Sequence, residues 1–180
     1  MNPTSQETLE RLKNTRGFVF DMDGTLILGD KRNSNMNPLP GALEFIDLLQ
    51  ARNIPWVVMT NGTVRSARDY VPVLNKAGIP VTEQTMMTPS SVAADFFKRE
   101  NVRRVMVLGC PGVWEPLVDA GLDVVLSNQP DPGPVDAVYI GWYKEFGFVD
   151  LEAAWLAVKD GAELYTASDV PFFATANGPG

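Results

Sequence analysis

Short apolar runs alternate with stretches of helical period along most of the chain, the pattern that α/β folds produce. Phe18-Val19-Phe20 is β-prone and stops at Asp21. Ala42, Phe45, Ile46 and Leu49 then fall at i, i+3, i+4 and i+7, predicting a helix over residues 41–51. The run from Ile54 to Met59 predicts a second strand, which stops at Thr60-Asn61-Gly62. Val64, Ala67, Val71 and Leu74 predict a helix ending at Gly78. Pro72 is expected to kink or divide it, since proline lacks a donor and clashes one turn back. Two successive β-then-α units imply parallel neighbouring strands joined by right-handed crossovers.

The alternation continues beyond residue 88. Ser90 or Ser91 is placed to cap a helix carrying Val92, Ala93, Phe96 and Phe97. Strands are predicted at 105–108, 124–126, 137–140 and 164–166. A short helix is expected from Trp114 to Ala120, and a later one carries Leu151, Ala154, Trp155 and Val158 on one face. Pro130-Asp131-Pro132-Gly133-Pro134 reads as a loop. No internal repeat or low-complexity tract occurs. Two α/β modules, divided between residues 80 and 92, fit this order.

Composition narrows the chemistry. With 45% hydrophobic and 21% charged residues among 180, the chain is an ordinary globular sequence. Fifteen basic against twenty-two acidic residues give a net charge of −7, which argues against a nucleic-acid partner. No apolar run approaches the ~20 residues that span a bilayer. The polar first fifteen residues do not resemble a signal peptide, so a cytoplasmic protein without a membrane partner is expected. The single cysteine, Cys110, rules out an internal disulfide and Cys-based zinc motifs. There is no histidine, so a Ser-His-Asp triad, a Cys-His pair and a His-ligated zinc are impossible within this chain. Catalysis must use carboxylates, hydroxyls, amines or a hard cation held by oxygen.

In parallel sheets, ligands bind beyond the carboxyl ends of the strands. Here those ends are Asp21-Met22-Asp23-Gly24-Thr25 and Thr60-Asn61-Gly62. Asp21 and Asp23, two apart in extended chain, lean to one face, and Gly24 permits a sharp turn. Two carboxylates facing a phosphate dianion repel: at ~5 Å and an effective dielectric near 20, each pair of unit charges costs about 3 kcal/mol. A cation between them is therefore expected, and oxygen ligands select a hard ion, magnesium first. Asp21, ionised at neutral pH, suits a nucleophile. Asp23 suits the acid that protonates the leaving oxygen and later deprotonates water. Thr60, Asn61 and the amides around Gly62 suit the phosphoryl oxygens.

The segments FDMDGTL at 20–26 and MTNG at 59–62 resemble motifs I and II of the haloacid dehalogenase (HAD) superfamily. The resemblance implies a Rossmann-like parallel-sheet core and magnesium-dependent phosphoryl transfer through an aspartyl-phosphate. Asp21 matches the nucleophile, Asp23 the acid/base and Thr60 the motif II hydroxyl. Magnesium would be held by the Asp21 carboxylate and the Asp23 backbone carbonyl. VDAVYIGWYKEFGF at 135–148 and ATANGPG at 174–180 are similar to the α/β cap of the NagD-like and 4-nitrophenylphosphatase group. The implied division is a core portion with motifs I and II (1–88), a cap domain (89–175) and the start of a return to the core (176–180). The implied function is phosphatase activity on small phosphorylated metabolites, with homodimerisation through the cap.

One departure stands out. The family uses a motif III lysine, usually after glycine, and a motif IV acidic pair beginning Gly-Asp. No Gly-Lys occurs, and the one Gly-Asp, at Gly29-Asp30, is too early. The chain is therefore expected to be a truncated version of a longer phosphatase and nearly inactive alone, since losing one oxyanion donor costs about a hundred- to a thousandfold. A non-catalytic HAD-like binding or dimerisation module and a phosphotransferase are the alternatives.

Plainer readings stand beside these. Asp21 and Asp23 could close a solvated strand-end turn. An EF-hand loop would put Leu26 at position six and Arg32 at position twelve, neither of which fits. Cys110 reads as a small buried or loop thiol. Trp142, Tyr143, Lys144 and Phe146 fit cap packing as well as substrate contact, and Asp169 is equally open. Lys159 reads as a helix-end cation, and residues 29–37 as a polar loop over the site.

Overall fold

The computed structural model describes residues 5–29, 36–130 and 132–168, together with the backbone of the pairs 174–175 and 178–179. Helix α1 (Ser5–Lys13) leads to strand β1 (Phe18–Asp21), and an antiparallel pair, β2 (Ile27–Gly29) and β3 (Met36–Pro38), follows. Then come α2 (Ala42–Ala51), β4 (Trp56–Met59), α3 (Ala67–Lys76) and β5 (Met86–Met87). Parallel pairing runs from Phe18 opposite Trp56 to Asp21 opposite Met59, and β5 adds to the other side of β4. The two polar strand ends thus stop level with each other. Buried Met22, Ile27, Ile46, Val58, Leu74 and Ile79 share one core beneath this sheet.

A second sheet is built from α4 (Pro89–Arg99), β6 (Arg104–Leu108), α5 (Pro111–Asp119), β7 (Asp123–Leu126), β8 (Ala137–Ile140), α6 (Phe148–Lys159) and β9 (Glu163–Thr166). Its order is β7-β6-β8-β9, all parallel. Apolar clusters line it, one around Phe97, Val107, Leu117 and Tyr139, the other around Met106, Leu108, Val138 and Ala154. Asp136 ties the strands at their start by accepting from the Arg103 and Arg104 amides at 2.8 and 2.9 Å. Last, β10 (Ala174–Thr175) pairs antiparallel with β11 (Gly178–Pro179). The α/β class with parallel sheets, expected from the sequence, is what the chain adopts.

Several local expectations are corrected. Pro72 does not divide α3, which continues to Lys76. The N-cap of α4 is Thr88, with Pro89 opening the helix and Ser91 completing a capping box, because Thr88 accepts from the Ser91 amide. Helix α5 starts at Pro111, three residues before Trp114, since proline is pre-organised for the first helical position. Gly29 and Met36–Asn37, read as loop, belong to the β2–β3 pair. In α6 only Asp150 and Ala154 are buried, while Leu151, Trp155 and Val158 face solvent. Small Ala153, Ala154 and Ala157 let the helix sit on the sheet and leave the bulky stripe outside. Asp169, residues 30–35 of the polar loop, and positions 176, 177 and 180 lie outside the described residues. Among the described residues no helix is long and apolar enough to cross a membrane.

Candidate active site

The end of β1 folds into a turn that sorts its side chains. Met22 is buried, while Asp21 and Asp23 on either side of it stay open to solvent, as alternation requires. Gly24, at φ +80°, lets the chain reverse, its amide donating to the Ile27 carbonyl at 2.8 Å and that of Leu26 to the Met22 carbonyl at 3.0 Å. The Thr25 hydroxyl donates to Asp21 Oδ2 at 3.2 Å.

Thr60, one residue past β4 and 4% exposed, faces this turn. Its hydroxyl donates to Asp23 Oδ2 at 3.3 Å and accepts from the Gly62 amide at 3.0 Å. Asn61 lies between, with its side chain exposed. Gly62 is sterically required: a Cβ there would sit 2.7 Å from Tyr70 Oη and 3.2 Å from Thr60 Oγ1. The register of β1 against β4 thereby brings Asp21, Asp23, Thr60 and Gly62 to one crevice.

The electrostatics of the turn act on Asp23 in both directions. Loss of solvation raises the Asp23 pKa, the Thr60 hydrogen bond opposes this, and the charge on Asp21 adds to it. Tyr70, buried behind the turn, is pushed up to about 12, chiefly by burial and then by the Asp23 charge, with the Arg65 guanidinium and Thr60 acting the other way. Arg65 lies over the Tyr70 ring at 5.9 Å. Tyr70 is therefore a neutral phenol at physiological pH. The arrangement offers one carboxylate at a strand end, a second carboxyl biased towards holding a proton, and donors beside both.

The donor set is oxygen only, which suits a hard cation that keeps several of its waters. Among the described residues no group of three His, Cys, Asp or Glu side chains stands together as a metal cage. Two carboxyl residues plus water and phosphate oxygens are nonetheless a fitting set for magnesium, which binds readily through one or two carboxylates.

Two buried residues here escaped the sequence pattern. Tyr70 sits four before Leu74, so helical spacing could have placed it on the buried face of α3. Thr63, 6% exposed, carried no local signal, because its partner is remote in sequence: the Trp142 amide donates to Thr63 Oγ1 at 3.1 Å. That bond brings the loop after β8 to within three residues of Thr60. Trp142 is stacked there under Lys144 at 5.6 Å. Cys110 is half-buried, its thiol directed at the Val64 carbonyl at 3.5 Å, and burial raises its pKa, which disfavours the thiolate. Lys159 ends α6, 5.3 Å over Trp155.

A sequence profile of haloacid dehalogenase-like hydrolases matches residues 18–123, which include both strand ends. The chain belongs to the haloacid dehalogenase-like hydrolase family. HAD phosphatases generally use magnesium. Relatives of known name include the acid sugar phosphatases of Staphylococcus haemolyticus, 29% identical over 87% of this chain and 56% of that protein, and of Staphylococcus aureus, 28% identical over 87% and 57%. Among solved structures, the 4-nitrophenylphosphatase of Thermotoga maritima superposes with a TM-score of 0.78 at 28% identity, covering 93% of this chain and 60% of that one. The glycerol phosphate phosphatase of Mycobacterium tuberculosis, solved with calcium, gives 0.76 at 25% identity over 93% and 47%. These include the 4-nitrophenylphosphatase group that residues 135–148 and 174–180 resemble. The chain spans a little over half the length of the curated relatives it matches.

Proposed function

We propose that the chain carries the phosphoryl-transfer site of a magnesium-dependent phosphatase acting on small phosphomonoesters, sugar phosphates among them. The observation that carries this reading is the Thr60 hydroxyl donating to Asp23 while Asp21, held by the Thr25 hydroxyl, stands exposed beside it. Asp21 Oδ would attack phosphorus, forming the P–O bond of an aspartyl-phosphate as the ester P–O bond breaks. Asp23 would give its proton to the departing oxygen, then accept one from the water that hydrolyses the aspartyl-phosphate and frees phosphate. Thr60 and the Gly62 region would hold the phosphoryl oxygens, with Asn61 reaching from the exposed turn.

Magnesium would be held by the Asp21 carboxylate and the Asp23 carbonyl, and supplies neutralising charge for the phosphate. In this reading residues 1–88 form the catalytic core portion and 89–175 a cap whose β8–α6 loop overhangs the crevice. The exposed face of α6 suits a second copy of the chain.

Beryllofluoride, a mimic of an acyl-phosphate, tests the proposal. Magnesium-dependent binding by the full chain, read by fluorine NMR and abolished in Asp21→Ala, is the expected result. Identical spectra with and without magnesium, or with and without Asp21, would favour a non-catalytic module instead.

A further inference from the structure

Residues 60–66 join the end of β4 to the N-cap of α3 without regular structure. One end is fixed because the Thr60 amide donates to the Met87 carbonyl at 3.1 Å. The other is fixed by the Ser66–Asp69 capping box, in which Asp69 Oδ2 accepts from the Ser66 amide at 3.2 Å. Between those anchors, the segment is held from outside the first sheet. Thr63 Oγ1 accepts from the Trp142 amide, and the Cys110 thiol reaches the Val64 carbonyl. Gly112 in α5 packs so closely that a Cβ there would lie 2.4 Å from the Val64 oxygen. Just beyond, Arg68 pairs with Asp119 at 2.7 Å, from α3 to α5.

We infer that Thr63 is a positioning residue: by holding the loop after β8, it sets the direction of the Thr60 hydroxyl. The route is short, one step of backbone and one hydrogen bond. Thr63 fixes the peptide that follows Gly62, the Gly62 amide donates to Thr60 Oγ1, and that bond turns the hydroxyl proton towards Asp23 Oδ2. The second sheet thus does more than cover the crevice, because its attachment decides how well the phosphate-binding turn is pre-organised. Thr63 is buried and its hydroxyl engaged, so its isosteric replacement by valine removes the acceptor with little change in volume. The inference rests on reading Thr60–Gly62 as the phosphate turn, but its test needs no phosphate.

Amide hydrogen exchange in the ligand-free chain reads the effect at Gly62, with Val58 as the control because its amide is bonded to the Thr85 carbonyl inside the sheet. Thr63→Val should speed Gly62 exchange about fivefold, the scale of one hydrogen bond, and leave Val58 unchanged. Thr63→Ser, which keeps the hydroxyl, should restore the original rate. Unchanged exchange at Gly62, or equal acceleration at Gly62 and Val58, overturns the inference, the latter because it marks general destabilisation. Should Thr63→Val not fold, Thr63→Ala, which also removes the acceptor, decides by the same readout: faster exchange at Gly62 with Val58 unchanged supports the coupling, and unchanged exchange at Gly62 overturns it. Absence of magnesium-dependent beryllofluoride binding in the unaltered chain would count against the phosphatase reading alone.

Discussion

Asp23 is the residue on which the local electrostatics converge. Its pKa is raised from its ordinary value because part of its solvation is lost and Asp21 repels its charge, while Thr60 pulls the other way. A native pKa above the unfolded one means that Asp23 contributes its stability in full below the unfolded value and loses it as pH rises through the native value. Asp21→Asn removes the repelling charge, so Asp23 should titrate at lower pH than in the parent chain. Thr60→Val removes a donor to the carboxylate, so Asp23 should titrate at higher pH. Carboxyl-resolved NMR titration of the two variants checks both directions, and coincident midpoints would mean the three groups do not sense one another. At this scale much was legible: Asp21, Asp23 and Thr60–Gly62 are the polar residues that interrupt apolar runs, and parallel pairing alone brings such ends together. Thr63 was not legible, since its partner Trp142 lies 79 residues away.

Helix α3 shows why element boundaries were harder to read. Apolar spacing alone started it near Val64, yet Val64 is exposed and the helix begins only after Ser66, whose side chain caps it. Capping chemistry outweighed periodicity. Pro72 was expected to break the same helix, but Tyr70 and Leu74 pack into the core on either side of it and hold the turn together. The missing donor still leaves the Arg68 carbonyl without its usual helical partner. Pro72 is exposed, so Pro72→Ala restores that donor without crowding. The helical gain of up to ~3 kcal/mol is offset in part by the freer unfolded chain. A net stabilisation of about 1–2 kcal/mol is expected in urea denaturation, and a lower midpoint would show that the proline ring is itself packed. The hairpin of β2 and β3 was hidden for a different reason, since strands of three residues carry too little alternation to register.

At the scale of the molecule, the two sheets follow from the repeated β-then-α pattern, but what each surface faces does not. Helix α6 is apolar on nearly every side, a composition that normally marks a fully buried helix. Only the face of Asp150 and the alanines is buried; Phe148 is 79% and Trp155 61% exposed, with Leu151 and Val158 continuing the same stripe. The stripe is contiguous and carries two large aromatic side chains, the residue types enriched where proteins associate. If a second copy covers it, association must be concentration-dependent and sensitive to charge placed on the stripe, because a carboxylate buried in an apolar interface without a partner is strongly disfavoured. Sedimentation of the chain should show a monomer–dimer equilibrium at tens of micromolar, as an order of magnitude for a modest interface. The double substitution Phe148→Asp with Trp155→Asp should shift it wholly to monomer with unchanged circular dichroism, since both side chains are mostly exposed. A parent chain that sediments as a monomer throughout this range would remove the second copy as the occupant of this face.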